Sequence, residues 1–533
     1  MNAFAQESAE SRADFIYQYA ATANVPAYMF PLRRISLLAL LTLHSGLTAA
    51  VSLDPLFGDH AVILAGTDVP VWGSADEGEK VTVRLAGAEA SAVTAKGRWQ
   101  VRFPVLKSSA TLGDLVAVGA STTATSTDVL IGEVWLCAGQ SNMALRLNEI
   151  SPADQAEAVA TGLPTLRYYA VAKKREAKPL AKVAGKWQVA AGPTVVQSSA
   201  VAYYFGRALV EAGVGPVGVF DSSDGNTYAE GWTSDEALRA VPELAGVFAR
   251  FADDIVTFPK RLADNQQAKA AHELAAAAAK AAGKPAPRAP RAVVDPQVSQ
   301  FSPSRLYNAM IAPIIPVAIR GVVWYQGENN NSRPREYQTL LPTLIADWRA
   351  RWGRGDFPFY IVQVAPFKGM PPEIREAQFR VSEKVANSGI VSTLDVGEAA
   401  NIHPLNKRPV GERLARLARA GVYRQTVVTS GPRYRALTIQ GNTATVAFTH
   451  ADGGLAATGG TLKGFTVAGA DQRFVDATAV IRNGAVEVSS PAVPAPVAVR
   501  YAWANAPEAT LVNGEGLPSF PFRSDDWPVT ADK

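Results

Sequence analysis

Cysteine is nearly absent from this chain. Its 533 residues hold one, Cys137, so no intrachain disulfide can form and cysteine-based metal sites are excluded. Histidine is scarce too: His44, His60, His272, His403 and His450 are all there are. Few side chains are therefore available to exchange a proton near neutral pH. The net charge is only +4, with 19% charged residues and no strong basic stripe, which argues against nucleic acid as a partner. No repeat with a period of about 20–50 residues recurs. What is present is a globular share of hydrophobic residues, 48%, in a chain long enough for about two or three domains.

An export signal is expected near the amino end. Arg33-Arg34 precede the apolar stretch Ile35–Leu43, and small residues Thr48-Ala49-Ala50 follow. A positive start, a short apolar core and a small-residue cleavage site make a Sec-type signal peptide. The apolar core is too short for a stable membrane anchor. Met29 would begin a signal of ordinary length, so residues 1–28 read as a mistaken start and 1–50 as start plus signal. The mature chain is then expected to begin near Val51, to work in the periplasm or outside the cell, and to have no membrane contact after cleavage.

Residues 51–129 carry short alternating runs such as Val69–Gly73, Lys80–Leu85 and Arg98–Phe103, the pattern of a small β domain. Between 130 and 426, apolar strands alternate with helical stretches. The strands include Val134–Ala138, Val217–Phe220, Gly321–Tyr325, Phe359–Val364 and Gly389–Leu394. Such alternation implies an α/β core with a mainly parallel sheet covered on both faces. An Ala-rich insertion at about 262–292 interrupts it. A helix is expected over Ala270–Ala282, ended by Pro285, Pro287 and Pro290 in an extended linker. Alternating β runs return over 427–533, so the core is flanked by β-sandwich-like regions on both sides.

Chemistry concentrates at one sheet edge. Gly139-Gln140-Ser141-Asn142 ends the apolar run Val134–Ala138 and opens a helix-compatible stretch, Met143–Leu147. In open α/β sheets that edge is where ligands bind. Ser141 is there either a helix cap or a nucleophile, and the second role needs a base and oxyanion donors nearby. His403 is the base that elimination leaves. His44 lies in the signal, His272 in the insertion, and His60 and His450 in the β regions. His403 follows the strand ending at Leu394-Asp395, on the same edge as Ser141 if both strands are parallel. Two more loops belong there. Phe220–Thr227 includes Gly225, which can bring a backbone N–H close to a ligand. Trp324–Asn330 carries side-chain amides able to donate to an oxyanion. Taken singly, both are ordinary turn sequences.

Three segments resemble the sialate O-acetylesterase-like carbohydrate esterases of the SGNH hydrolase superfamily: Gly132–Met143 (Gly-Glu-Val-Trp-Leu-Cys-Ala-Gly-Gln-Ser-Asn-Met), Trp324–Asn330 (Trp-Tyr-Gln-Gly-Glu-Asn-Asn) and Ile402–Lys407 (Ile-His-Pro-Leu-Asn-Lys). Asp54–His60, Pro70–Gly73, Arg500–Trp503 and Gly516–Arg523 extend the likeness over nearly all the mature chain except the insertion. The glycine-flanked elbow of α/β-hydrolases is not matched, because Ser141 is followed by Asn142-Met143. The resemblance implies a three-layer SGNH-like core and removal of O-acetyl groups from a sugar through an acetyl-enzyme, with no metal or organic cofactor. Ser141 would be the nucleophile and His403 the base. Ser141 and Gly225 would offer N–H groups to the oxyanion, with a third donor from Gln326 or Asn329. Asn142, Glu328 and Arg375 are further candidates for substrate binding.

One departure stands out. Members of the superfamily often carry Asp three positions before the histidine, and that position is Ala400, with Asn401 next. The histidine's orienting partner is then Asp395, Glu398 or the carbonyl of Asn401, making a triad or a dyad. An acetylated hemicellulose such as xyloglucan or xylan is the favoured substrate. A sialate is the alternative, with Arg375 or Lys407 available for its carboxylate. An inactive glycan-binding protein is the alternative of another class.

Overall fold

The computed structural model describes residues 50–529; the expected export signal lies outside them, apart from Ala50. Its centre is one continuous strand, Thr123–Gly139, whose last eleven residues are all buried or nearly so. A central parallel strand is covered on both faces, which is why its sequence is an unbroken apolar run rather than an alternating one. Around it the sheet runs Trp187–Ala190, Leu163–Ala170, Val217–Ser223, Thr123–Gly139, Gly321–Tyr325, Phe359–Val362, Ser388–Val391. Neighbours are parallel except for the first, an antiparallel edge strand.

Side chains of these strands alternate between two cores. Trp135, Cys137, Val219, Val323 and Val391 pack with helices Ala200–Glu211 and Arg408–Gly421 on one face. Leu136, Ala138, Trp324, Phe359 and Ile390 pack with helices Pro334–Trp352 and Pro372–Lys384 on the other. The molecule is thus a mixed α/β protein with helices on both faces of a mainly parallel sheet.

The amino-terminal half of the long strand belongs to a β region. It pairs antiparallel with Ser109–Val118 and parallel with Val62–Leu64, so one strand runs unbroken from the first β region into the core. Beyond the core, two four-stranded sheets share a core of Val446, Val486, Val488, Phe465, Val467, Val499 and Tyr501. All of this lies in one compact unit, Ala49–Lys533. No helix among the described residues is long and apolar enough to cross a membrane.

The insertion differs from expectation in where its helix starts. The helix spans Ala245–Ala281 with Pro259 inside it, and it buries only Val247. Its amino-terminal part is held by exposed pairs such as Lys260–Asp264 at 2.6 Å, spaced one turn apart. Alanine periodicity marks only the second half, because the first half carries mixed charge. The carboxyl end falls where expected, at Gly283 with φ +65°. The prolines beyond it lie in segments without regular structure.

Candidate active site

Strand register brings the site together. Gly139 pairs with Ser223 on one side and Tyr325 on the other, so three strands end level and their loops emerge side by side. Gly139 has φ +142°, and a Cβ there would lie 2.1 Å from Tyr325 O; the close approach admits only glycine. Ser141 then opens the short helix Ser141–Ala144. It does not cap that helix, since Gln140 holds the capping position without a side-chain bond.

His403 Nε2 lies 2.8 Å from Ser141 Oγ, within the range for proton transfer. Burial, and then the charge of Lys407, push the imidazole pKa below its usual 6.5. Both effects favour the neutral ring, the form able to accept a proton. His403 is held through its backbone: Asn401 Oδ1 accepts from His403 N at 3.0 Å, and Asn401 Nδ2 donates to His403 O at 2.8 Å.

Neither proposed carboxylate reaches the ring. Asp395 is taken by Arg413, with bonds of 2.7 and 2.5 Å. Glu398 accepts from Leu405 N at 3.1 Å and Asn401 Nδ2 at 3.3 Å. Among the described residues no carboxylate hydrogen-bonds the imidazole, so the site is a Ser–His pair. Asp395→Asn is accordingly expected to leave kcat/KM within a few-fold of the parent, measured on p-nitrophenyl acetate. A drop of orders of magnitude would restore Asp395 as the orienting acid.

The oxyanion candidates separate clearly. Among the described residues no backbone acceptor is bonded to the N–H of Ser141 or Gly225. Gln326 is fully buried and spends its amide inward, donating to Thr227 O at 3.1 Å and Asn330 Oδ1 at 2.7 Å. Asn329 faces the loops instead, donating to Asn226 Oδ1 at 3.0 Å while its backbone N–H reaches Gln140 Oε1 at 3.3 Å. Its second amide hydrogen remains available.

A Cβ on Gly225 would stand 3.5 Å from Ser141 Cβ, an ordinary contact. Gly225→Ala should therefore fold and retain most activity. The branched chain of Gly225→Val should displace the nucleophile and lower kcat about 100-fold with little change in Tm. Equal activity in both variants would show that the acyl group does not approach this loop.

Three candidates for substrate contact do not line the cleft at Ser141 and His403. Arg375 is fully buried and donates to the carbonyls of Met370, Ala504 and Asn505. It anchors the carboxyl-terminal β region, and burial lowers its pKa to about 10. Asn142 and Glu328 are buried and bonded to each other at 2.5 Å. Lys407 is buried as well and donates to Asn142 Oδ1 at 2.5 Å, so it offers nothing to a sugar carboxylate.

The open cleft at Ser141 and His403 has a volume of about 580 Å³ and is lined further by Arg146, Glu149, Lys173 and Gly225. Arg146, Lys173, Gln140 and Asn226 belong to the site as well, although no motif in the sequence marks them as such. The basic run Lys173-Lys174-Arg175 after a strand was the available signal for one of them. Asn226, at φ +58°, follows Gly225 in a turn sequence that favours this conformation. Among the described residues no group of three or more His, Cys, Asp or Glu could hold a metal ion.

The chain has known relatives. Residues 272–420 match the family model for carbohydrate esterases described as sialic acid-specific acetylesterases. The sialate O-acetylesterase of Rattus norvegicus is 29% identical over 408 residues, 68% of this chain and 72% of the relative. That of Homo sapiens is 29% identical over 339 residues, 57% and 56% of the two chains. The crystal structure of a carbohydrate acetylesterase from Xanthomonas citri is similar at a TM-score of 0.75 with 31% identity, covering 90% of this chain and all of that one. Fold, site and relatives together define a carboxylic ester hydrolase. The chain belongs to the carbohydrate acetylesterases, and is similar to the sialate O-acetylesterases.

Proposed function

We propose that this protein removes O-acetyl groups from a sugar through an acetyl-enzyme on Ser141, in a core of the SGNH kind. Ser141 Oγ attacks the acetyl carbonyl while His403 Nε2 takes its proton. The N–H groups of Ser141 and Gly225, with the amide of Asn329, hold the tetrahedral oxyanion. Collapse breaks the bond between the acetyl carbon and the sugar oxygen, which takes the proton from His403 and leaves as a hydroxyl, and water activated by His403 then releases acetate. The observation that carries this reading is the 2.8 Å contact between Ser141 Oγ and His403 Nε2 beside the N–H groups of Ser141 and Gly225, which have no backbone acceptor.

The favoured substrate is an acetylated hemicellulose-type oligosaccharide or polysaccharide, such as xyloglucan or xylan. An open cleft of about 580 Å³ supports it, since it admits a chain rather than enclosing one small molecule. A second reading, an O-acetylated sialate, is favoured by Arg146 and Lys173 on the cleft wall, two cations able to meet a sugar carboxylate. Acetate release from a panel of acetylated hemicelluloses and sialosides tests both. Higher kcat/KM on the hemicelluloses is expected. Higher kcat/KM on sialosides, with a raised KM in Arg146→Ala, would establish the second reading instead. The apolar stretch Ile35–Leu43 behind Arg33-Arg34 supports action in the periplasm or outside the cell.

A further inference from the structure

An ionisable chain is buried directly behind the nucleophile, and the proposed chemistry does not use it. Asn142, next to Ser141, donates from Nδ2 to Glu328 Oε1 at 2.5 Å and to Ile402 O at 3.0 Å. Its Oδ1 accepts from Lys407 Nζ at 2.5 Å. Lys407 is 1% exposed and Glu328 3%. Each partner heads a different part of the site. Glu328 opens the turn Glu328–Asn330 that carries Asn329, Ile402 precedes His403, and Lys407 precedes the helix Arg408–Gly421. One amide side chain thus joins the nucleophile turn, the oxyanion turn and the histidine loop. Burying a lysine and a glutamate is costly, and ordinary packing does not require them there.

We propose that Lys407 is a positioning residue for ester hydrolysis. It holds Asn142, and through it Glu328 and the Ile402 carbonyl, so that three loops keep their geometry although no carboxylate orients His403. The proposal rests on the Ser141–His403 mechanism above. Its second effect is electrostatic. The ammonium faces Glu328, Glu398, His403 and the ring of Tyr325, 5.3 Å away. His403 in turn faces Lys407 and Glu149. Burial lowers the Lys407 pKa to about 7 and raises that of Glu328. Below that value the charged ammonium opposes protonation of His403 and keeps the base free.

The test compares the full-length parent with Lys407→Met and the charge-balanced double variant Glu328→Gln/Lys407→Met, using p-nitrophenyl acetate. Lys407→Met should lower kcat about 100-fold with KM nearly unchanged, and should move the acid limb of kcat/KM to higher pH. The double variant removes both buried charges, so it should regain the parent Tm while kcat stays low and the acid limb stays raised. Parent-like kcat and pH profile in the double variant would overturn the proposal. So would a double variant that does not fold, since the pair would then serve the fold and not the site. Activity surviving in Ser141→Ala would instead remove the mechanism on which the proposal rests.

Discussion

Ser141→Ala should lose roughly a million-fold in kcat on p-nitrophenyl acetate while its Tm and circular dichroism match the parent. The expectation comes from geometry: Ser141 Oγ is the atom His403 Nε2 faces at 2.8 Å. The hydroxyl does not cap the helix it opens, so alanine at this position leaves the fold unstrained. Residual rate above the uncatalysed reaction should come from the oxyanion donors and substrate binding, which the substitution spares. Turnover near the parent level would show that another group attacks the ester.

His403→Ala should cost nearly as much, and the double variant with Ser141→Ala should be no slower than either single one. In the proposed mechanism nucleophile and base act as a unit: a hydroxyl with no base to take its proton is as ineffective as no hydroxyl. The parent enzyme's pH profile carries a signature of the same group. Burial and Lys407 hold the His403 pKa below 6.5. As pH falls the imidazole protonates and can no longer accept from Ser141, so the acid limb of kcat/KM should lie below 6.5 and be absent from the residual activity of His403→Ala. An acid limb above 6.5 would contradict the buried, cation-facing setting of the ring.

Much of this site was legible in the chain itself, and the reasons are local. The run Val134–Ala138 reads as a doubly covered strand because parallel central strands demand unbroken apolar sequence. The turn that follows places Ser141 at the strand's carboxyl end, and scarcity of histidine singles out His403. What failed to show was partnership. Asp395, the first carboxylate after its strand, was an attractive partner for His403, yet a bidentate contact from Arg413 one helix away removes it. Gln326 and Asn329 are similar amides three residues apart. The turn buries one against Thr227 and Asn330 and leaves the other bonded to Asn226, in the loop that carries Gly225. Arg375 has the right charge for a sugar carboxylate, but its guanidinium is consumed by backbone carbonyls of the last β region.

The residue types and the strand–turn–helix steps that carry them were settled by local patterning: apolar periodicity, glycine turns and the small stock of proton-exchanging side chains. Partner choice required the folded chain. Asn142 meets Glu328 across 186 positions and Lys407 across 265, separations over which no periodicity in the sequence extends. Those meetings follow from the parallel register that sets Gly139 level with Ser223 and Tyr325. Register is a property of strands packed between two helical layers, and it exists only once both cores have formed.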